Sequence, residues 1–113
     1  MDCVFCRIVK KKIPATILYE NDHVVVFEDQ SPQAPVHALI VPKIHLASIL
    51  ECHRKDDAIW IAVLDAIKLI SHAGSFSEKG FRIVINTGDD GGQTVDHLHV
   101  HCLAGRRLSW PPG

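Results

Sequence analysis

The residues best suited to chemistry in this 113-residue chain lie in one stretch, Asp96-His97-Leu98-His99-Val100-His101-Cys102-Leu103. Three histidines alternate with apolar residues, the period of a half-buried strand whose every second side chain points to the same face. The spacing predicts His97, His99 and His101 on one face, with Leu98, Val100 and Cys102 turned to the core. On a helix the same histidines would be splayed around the axis and the apolar residues would form no stripe. Along a strand the histidine α-carbons stand about 6–7 Å apart. Such a row of imidazoles can hold a metal, or align a nucleophile with its proton carriers. The plain alternative is a solvated strand face that happens to carry histidine.

Two further groups add to it. Gly91-Gly92-Gln93-Thr94, just ahead of the histidines, suits a phosphoryl centre. Its glycines let backbone approach a ligand, and Gln93 and Thr94 offer neutral donors for phosphate oxygens. Asp89 and Asp90 would repel phosphate and must therefore point outward. Cys3-x-x-Cys6, in a chain with four cysteines, reads as a metal or redox pair, the half-site of a structural zinc that two histidines would complete.

The elements that position these groups follow from periodicity and turn chemistry. Residues 4–12 read as a short helix ended by Lys10-Lys11-Lys12 and stopped by Pro14. Thr16–Glu20 and His23–Glu28 form a hairpin about Asn21-Asp22. Asp29–Pro35 is a loop, since two prolines deny it a ladder. Val36–Val41 is a third strand, and Leu46–Leu50 a helical turn. Asp56–His72 is the one long helix, with Ile59, Trp60, Val63, Ile67 and Ile70 at three- and four-residue spacing and Gly74 as its stop. Phe81–Asn86 is a fourth strand expected to be buried on both faces. Thr87–Thr94 is a glycine-rich loop, and the tail from Gly105 to Gly113 enters neither sheet nor helix interior. The fold class is α+β: one domain over residues 1–113, a five-stranded, mostly antiparallel, meander-like sheet with one main helix and a short N-terminal helix.

A formal charge of −1 provides no general attraction to nucleic acid or anionic membrane. No apolar run reaches membrane-spanning length, and the N-terminus lacks the basic and apolar regions of a signal peptide. A soluble, cytoplasmic protein is expected.

His97-Leu98-His99-Val100-His101-Cys102-Leu103 resembles the His-φ-His-φ-His-φ-φ signature of the histidine triad (HIT) superfamily, φ being apolar. Ser31-Pro32-Gln33-Ala34-Pro35-Val36-His37, Asp90-Gly91-Gly92-Gln93-Thr94, Gly105-Arg106-Arg107 and Trp110-Pro111-Pro112-Gly113 resemble its Hint branch, and the likeness covers nearly the whole chain. It implies hydrolysis of purine nucleoside 5′-phosphoramidates through a nucleotidyl-histidine. By the resemblance His99 is the nucleophile, which requires that a carbonyl hold its other N–H. His101 and His37 complete a hydrogen-bonded cluster, and His97 lies beside phosphate and leaving group. Gln93, Thr94 and Asn86 stabilise charge on phosphate oxygens. Asp29 receives the ribose hydroxyls, and Val4, Phe5, Ile8, Phe27 and Leu39 line the base pocket, for which ordinary core is the other account. Thr94, where serine is common, keeps a hydroxyl. Asp96, where an aromatic is common, adds negative charge.

Some HIT proteins complete a zinc site with the histidine of a Pro-Lys-x-His turn and the first triad histidine, here His45 and His97. The resemblance therefore implies structural zinc on Cys3, Cys6, His45 and His97, with no organic cofactor. It also implies a two-fold homodimer whose tail brings Trp110 to the partner's active site. Rival readings are a nucleotide-binding regulatory module with incidental catalysis, a hydrolase with catalytic zinc in the triad, and the dinucleoside polyphosphate hydrolases of the same superfamily.

Overall fold

The computed structural model describes residues 3–113. Its elements are α1 (Val4–Val9), β1 (Ile17–Glu20), β2 (Val24–Glu28), β3 (Val36–Pro42), α2 (Asp57–Ala73), β4 (Arg82–Val84), α3 (Gly88–Gly91) and β5 (Val100–Ala104). The five strands form one antiparallel sheet in the order β1-β2-β3-β5-β4. The first three make a meander, and β5 enters between β3 and β4. The histidine-bearing strand is thus central and paired on both sides.

Alternation along the strands divides the interior. Val24, Val26, Ala38, Ile40, Val100 and Cys102 point to one face and pack on Ile59, Ala62, Val63, Ala66, Ile67 and Ile70 of α2. Their three- and four-residue spacing along α2 puts these six on one stripe. Val25, Phe27, Leu39 and Val41 point to the other face and pack on Phe5 and Ile8 of α1. His37 and His101 share the parity of Leu39, so both histidines lie on the α1 face. Leu39 opposes His101 in the β3–β5 ladder, and His37 opposes Leu103.

Several boundaries differ from the sequence reading for identifiable reasons. Helix α1 ends at Val9 rather than Lys12, because Lys11 takes a left-handed conformation (φ 61°) that no α-helix continues. Helix α2 stops where expected, but Gly74 is not its left-handed residue. Ser75 is (φ 63°), while a Cβ on Gly74 would lie 2.8 Å from the Phe76 ring. The expected turn at Leu46–Leu50 is a 3-10 turn at Ile49–Glu51, in which the Leu50 amide donates to the Ser48 hydroxyl at 3.1 Å. The glycine-rich loop contains one helical turn, α3, closed by Gly92 at φ 80°. The fourth strand is short and half-buried, not buried on both faces. It is an edge, pairing with β5 alone while Ile83 and Ile85 pack toward α2.

The histidine strand also begins later than its pattern suggests. Its ladder starts with Val100 opposite Ile40, so His97, Leu98 and His99 precede it. Opposite them β3 runs out at Pro42, which has no amide to donate and whose carbonyl meets the His97 ring instead. The Leu98 amide leaves the sheet and donates to the Leu46 carbonyl at 2.6 Å. The tail forms no element beyond β5; Arg82 holds it through the Ser109 carbonyl. Among the described residues no helix is long and apolar enough to cross a membrane.

Candidate active site and metal centre

Below the α1 face lies a cavity of about 680 Å³. Val4, Phe5, Ile8, Phe27 and Leu39 form its apolar wall, and Asp29, Thr94, His99 and His101 its polar one. Of the five residues with two possible accounts, four serve both: Phe5, Ile8, Phe27 and Leu39 are core and cavity wall together, while the exposed Val4 lines the cavity only. Pro14, Ala15, Thr16, Gln30, Ser31 and Val95 also line it. Sequence patterning missed these, for they are rim residues brought in by the path of the backbone.

His99 is buried, and its Nδ1 lies 2.7 Å from the His97 carbonyl oxygen. A carbonyl only accepts, so Nδ1 carries the proton and Nε2 keeps its lone pair. The Phe5 ring meets the His99 imidazole edge-on, with centroids 5.1 Å apart, and restricts its rotation. This is the arrangement a nucleophilic imidazole needs.

His101 and His37 form an oriented pair. The Gln33 backbone amide donates to His37 Nδ1 at 3.0 Å, which fixes the His37 proton on Nε2. That N–H points at His101 Nδ1, 2.9 Å away, so the His101 proton must sit on its own Nε2. One neutral donor is thereby delivered to the cavity wall beside the lone pair of His99. Burial foremost, then the neighbouring His99 and His37, depress the His101 pKa to about 4, so the donor is neutral at ordinary pH. Asp29 Oδ2 lies 3.5 Å from His37 Nε2, and Asp29 Oδ1 accepts from the Ser31 amide. Asp29, His37 and His101 stand close enough to share a cation, but binding one through His37 Nε2 would displace its proton toward the Gln33 N–H. The Gln33 amide, His37 and His101 form a hydrogen-bonded chain, with the Asp29 carboxylate beside it. Gln33 itself is held by Arg106, whose guanidinium donates to its carbonyl at 3.0 Å. Gly105 permits that approach, since a Cβ there would lie 2.7 Å from Pro35.

His97 belongs to a different group. Cys3 and Cys6 Sγ lie 3.3 and 3.5 Å from His97 Nδ1, and 3.6 and 3.3 Å from His45 Nδ1. Tetrahedral zinc with Zn–S of about 2.3 Å and Zn–N of about 2.0–2.1 Å puts sulfur and nitrogen ligands about 3.6 Å apart. The four residues fit such an ion with little movement. His97 Nε2 donates to the Pro42 carbonyl at 2.9 Å, which leaves Nδ1 unprotonated and aimed at the sulfurs. Burial lowers the His97 pKa, also favouring the neutral ligand form. Burial first, then Cys3, raise the Cys6 thiol pKa, a penalty that a bound dication would reverse. All four cysteines are free; Cys102 is a core thiol, pushed up to about 11 by burial.

Other expected positions lie apart. Gln93 donates both amide hydrogens, to the Ala47 and Val95 carbonyls at 2.7 and 3.0 Å, and accepts from Gly88. In this arrangement it staples the loop and has no donor left for phosphate. Asn86 is half-buried and Trp110 is 81% exposed; neither lines the cavity. Asp89, Asp90 and Asp96 are exposed and outside the cavity wall, as the loop reading required of the first two.

A small α+β domain whose central strand brings histidines to the wall of a cavity, beside a Cys₂His₂ cluster, defines the class to which this fold and site belong. The chain matches the HIT domain over residues 10–108 and belongs to that family. It is 47% identical to an uncharacterized HIT-like protein of Synechococcus elongatus, over 99% of this chain and 97% of the relative. It is 42% identical to a 14 kDa zinc-binding protein of Brassica juncea, over 99% and 100%. A HIT family hydrolase from Legionella pneumophila superposes with TM-score 0.96 at 42% identity, covering 99% of this chain and 100% of that one.

Proposed function

We propose that the protein hydrolyses purine nucleoside 5′-phosphoramidates, of the adenosine 5′-monophosphoramidate type, through a nucleotidyl intermediate on His99. One observation carries the reading: the His97 carbonyl fixes the His99 proton on Nδ1 and leaves the Nε2 lone pair at the wall of a nucleotide-sized cavity. In the first step His99 Nε2 bonds to phosphorus, the P–N bond breaks, and the amine departs with a proton from solvent. In the second, water displaces the imidazole, releasing the nucleoside 5′-monophosphate and returning His99 to its starting tautomer. Splitting one displacement into two lowers each barrier. The His101 Nε2–H would donate to a non-bridging oxygen as charge builds there, and the Thr94 hydroxyl lies on the same wall. Asp29 would accept from the ribose hydroxyls. The apolar wall would take the base, edge-on to Phe5 and Phe27, whose own centroids are 5.5 Å apart.

Zinc on Cys3, Cys6, His45 and His97 would be structural, clamping α1 to the turn after β3 and to the segment before β5. The zinc-binding relative supports that assignment. A reducing compartment, the cytoplasm, would keep the thiols available. A two-fold dimer is supported by the exposed Ile61 and Leu64 on α2, 59% and 61% accessible, and by the open edge at β4. Intact-mass analysis after mixing with adenosine 5′-phosphoramidate tests the chemistry. A nucleotidyl adduct should form on wild type and vanish in His99→Asn. Turnover without any adduct, or activity abolished by chelator while the fold persists and His99 keeps its tautomer, would overturn it.

A further inference from the structure

The segment from His97 to His99 lies outside the sheet. The β5 ladder starts at Val100, so no strand hydrogen bond orients the His97 carbonyl, although that oxygen alone holds the His99 proton on Nδ1. The requirement is demanding, because free histidine favours the opposite tautomer, with the proton on Nε2. In that form His99 would present an N–H to the cavity and could not attack. What does hold the segment is its contact with Cys3, Cys6 and Pro42 through the His97 ring. The His97 ring is fully buried, with Nδ1 among the cluster atoms and Nε2 on the Pro42 carbonyl. Leu98 is held by the carbonyl of Leu46, the residue that follows the cluster's His45. Both anchors of the segment thus lead back to the same four ligands.

We propose that His97 is a positioning residue that couples the Cys3–Cys6–His45 cluster to the nucleophile: its ring is held by the cluster while its carbonyl selects the His99 tautomer. The proposal rests on the reading of His99 as nucleophile for its functional meaning, though not for its test. A cation in the cluster fixes the ring of His97, the fixed ring sets its peptide plane, and the plane aims the carbonyl at Nδ1. Release of the cation frees the ring to turn about the Pro42 contact, and the carbonyl loses its aim. Zinc in this protein would therefore act beyond fastening α1: it keeps the attacking nitrogen unprotonated without touching substrate.

The test reads the His99 tautomer at pH 7.5 from one-bond and long-range proton–nitrogen correlations in protein labelled with 15N-histidine, with no substrate present. The zinc-loaded wild type, the chelated wild type, and zinc-loaded His97→Cys and His97→Gln are compared. Ligation through Nδ1 puts the cation close to Cβ, so a cysteine thiolate reaches it, whereas glutamine fills the space and ligates poorly. The wild type and His97→Cys should show the Nδ1–H form alone. His97→Gln and the chelated wild type should shift toward Nε2–H. In His97→Gln, single-turnover hydrolysis should fall about 100-fold, the effect of a misplaced reacting group. AMP affinity should change only a few-fold, because Cys3, Cys6 and His45 still hold α1 and the base wall. A His99 that keeps its Nδ1–H form in His97→Gln overturns the coupling. If that variant does not fold, the same result in the chelated wild type overturns it. Failure to trap a nucleotidyl adduct on wild type would instead remove the functional reading and leave the spectra to decide the coupling.

Discussion

Phe5 links core, cavity and nucleophile, so its truncation has a calculable cost. The side chain is 7% exposed and meets Phe27, His97 and His99 edge-on, with centroids 5.5, 6.0 and 5.1 Å away. A buried phenylalanine side chain removes about 150–200 Å² from water, worth about 4–5 kcal/mol at about 25 cal/mol per Å². The methyl that alanine retains, and the partial burial already present in the unfolded chain, reduce this to about 3 kcal/mol. Loss of the edge contacts adds about 1 kcal/mol, while the opening of the site to the cavity keeps the void penalty small. Phe5→Ala should thus destabilise the zinc-loaded protein by about 3–4 kcal/mol, within the usual range for such truncations. With a urea slope of about 2 kcal/mol per molar, the unfolding midpoint falls by about 1.5–2 M. Phe5→Leu should lose roughly half as much. Both should weaken AMP binding. A midpoint shift below about 0.5 M for Phe5→Ala would refute this packing of α1 on the sheet, and with it the base wall.

Three other outcomes are expected. His99→Asn should keep the fold and bind AMP in calorimetry, yet lose several orders of magnitude in single-turnover rate; near-normal turnover would refute the covalent route. His101, with an ordinary histidine pKa when unfolded and about 4 when folded, stays neutral in the native state while the unfolded chain takes up a proton. Its contribution to stability is complete above about pH 6.5 and declines as pH falls toward 4. Urea midpoints of His101→Gln should accordingly vary less across that window than those of wild type. Light scattering at micromolar concentration should report a dimer, and Leu64→Glu, which puts charge on the exposed face of α2, should shift it to monomer; a wild-type monomer would end the proposal of pairing.

The alternation of His97 to Leu103 was enough to assign opposite faces of one strand, because side-chain parity survives even where the ladder does not form. Helix α2 was legible for the same reason, its stripe from Ile59 to Ile70 repeating over about three turns. Cys3-x-x-Cys6 was legible as half of a metal site, but its histidine partners were reachable only through the resemblance: Cys3 and His97 are 94 positions apart, and no local pattern joins them. What the sequence left hidden was carried by backbone. The carbonyls of His97 and Pro42 and the amide of Gln33 set the protonation of three imidazoles, and every residue type offers the same groups. The surroundings of Gln93 were hidden in the same way, since its amide reads as a free donor until the Ala47 and Val95 carbonyls are found beside it. The fourth strand was expected to be buried on both faces because its sequence is apolar, yet place in the sheet, not composition, makes it an edge.

The unequal division of the interior bears on how the molecule breathes. Among the described residues, fourteen buried side chains close the α2 face and six close the α1 face. Lifting α1 exposes the smaller cluster and leaves the larger one shut, so this opening costs less than global unfolding. Amides of α1 should therefore exchange with solvent by a sub-global route, while those of β3 and β5 wait for the whole sheet to come apart. A nucleotide in the cavity and a cation on Cys3 and Cys6 would each bridge α1 to the sheet, and each should slow that exchange. The face that holds the candidate site is also the face that can open, which would let ligand in and product out while the other half of the protein stays folded.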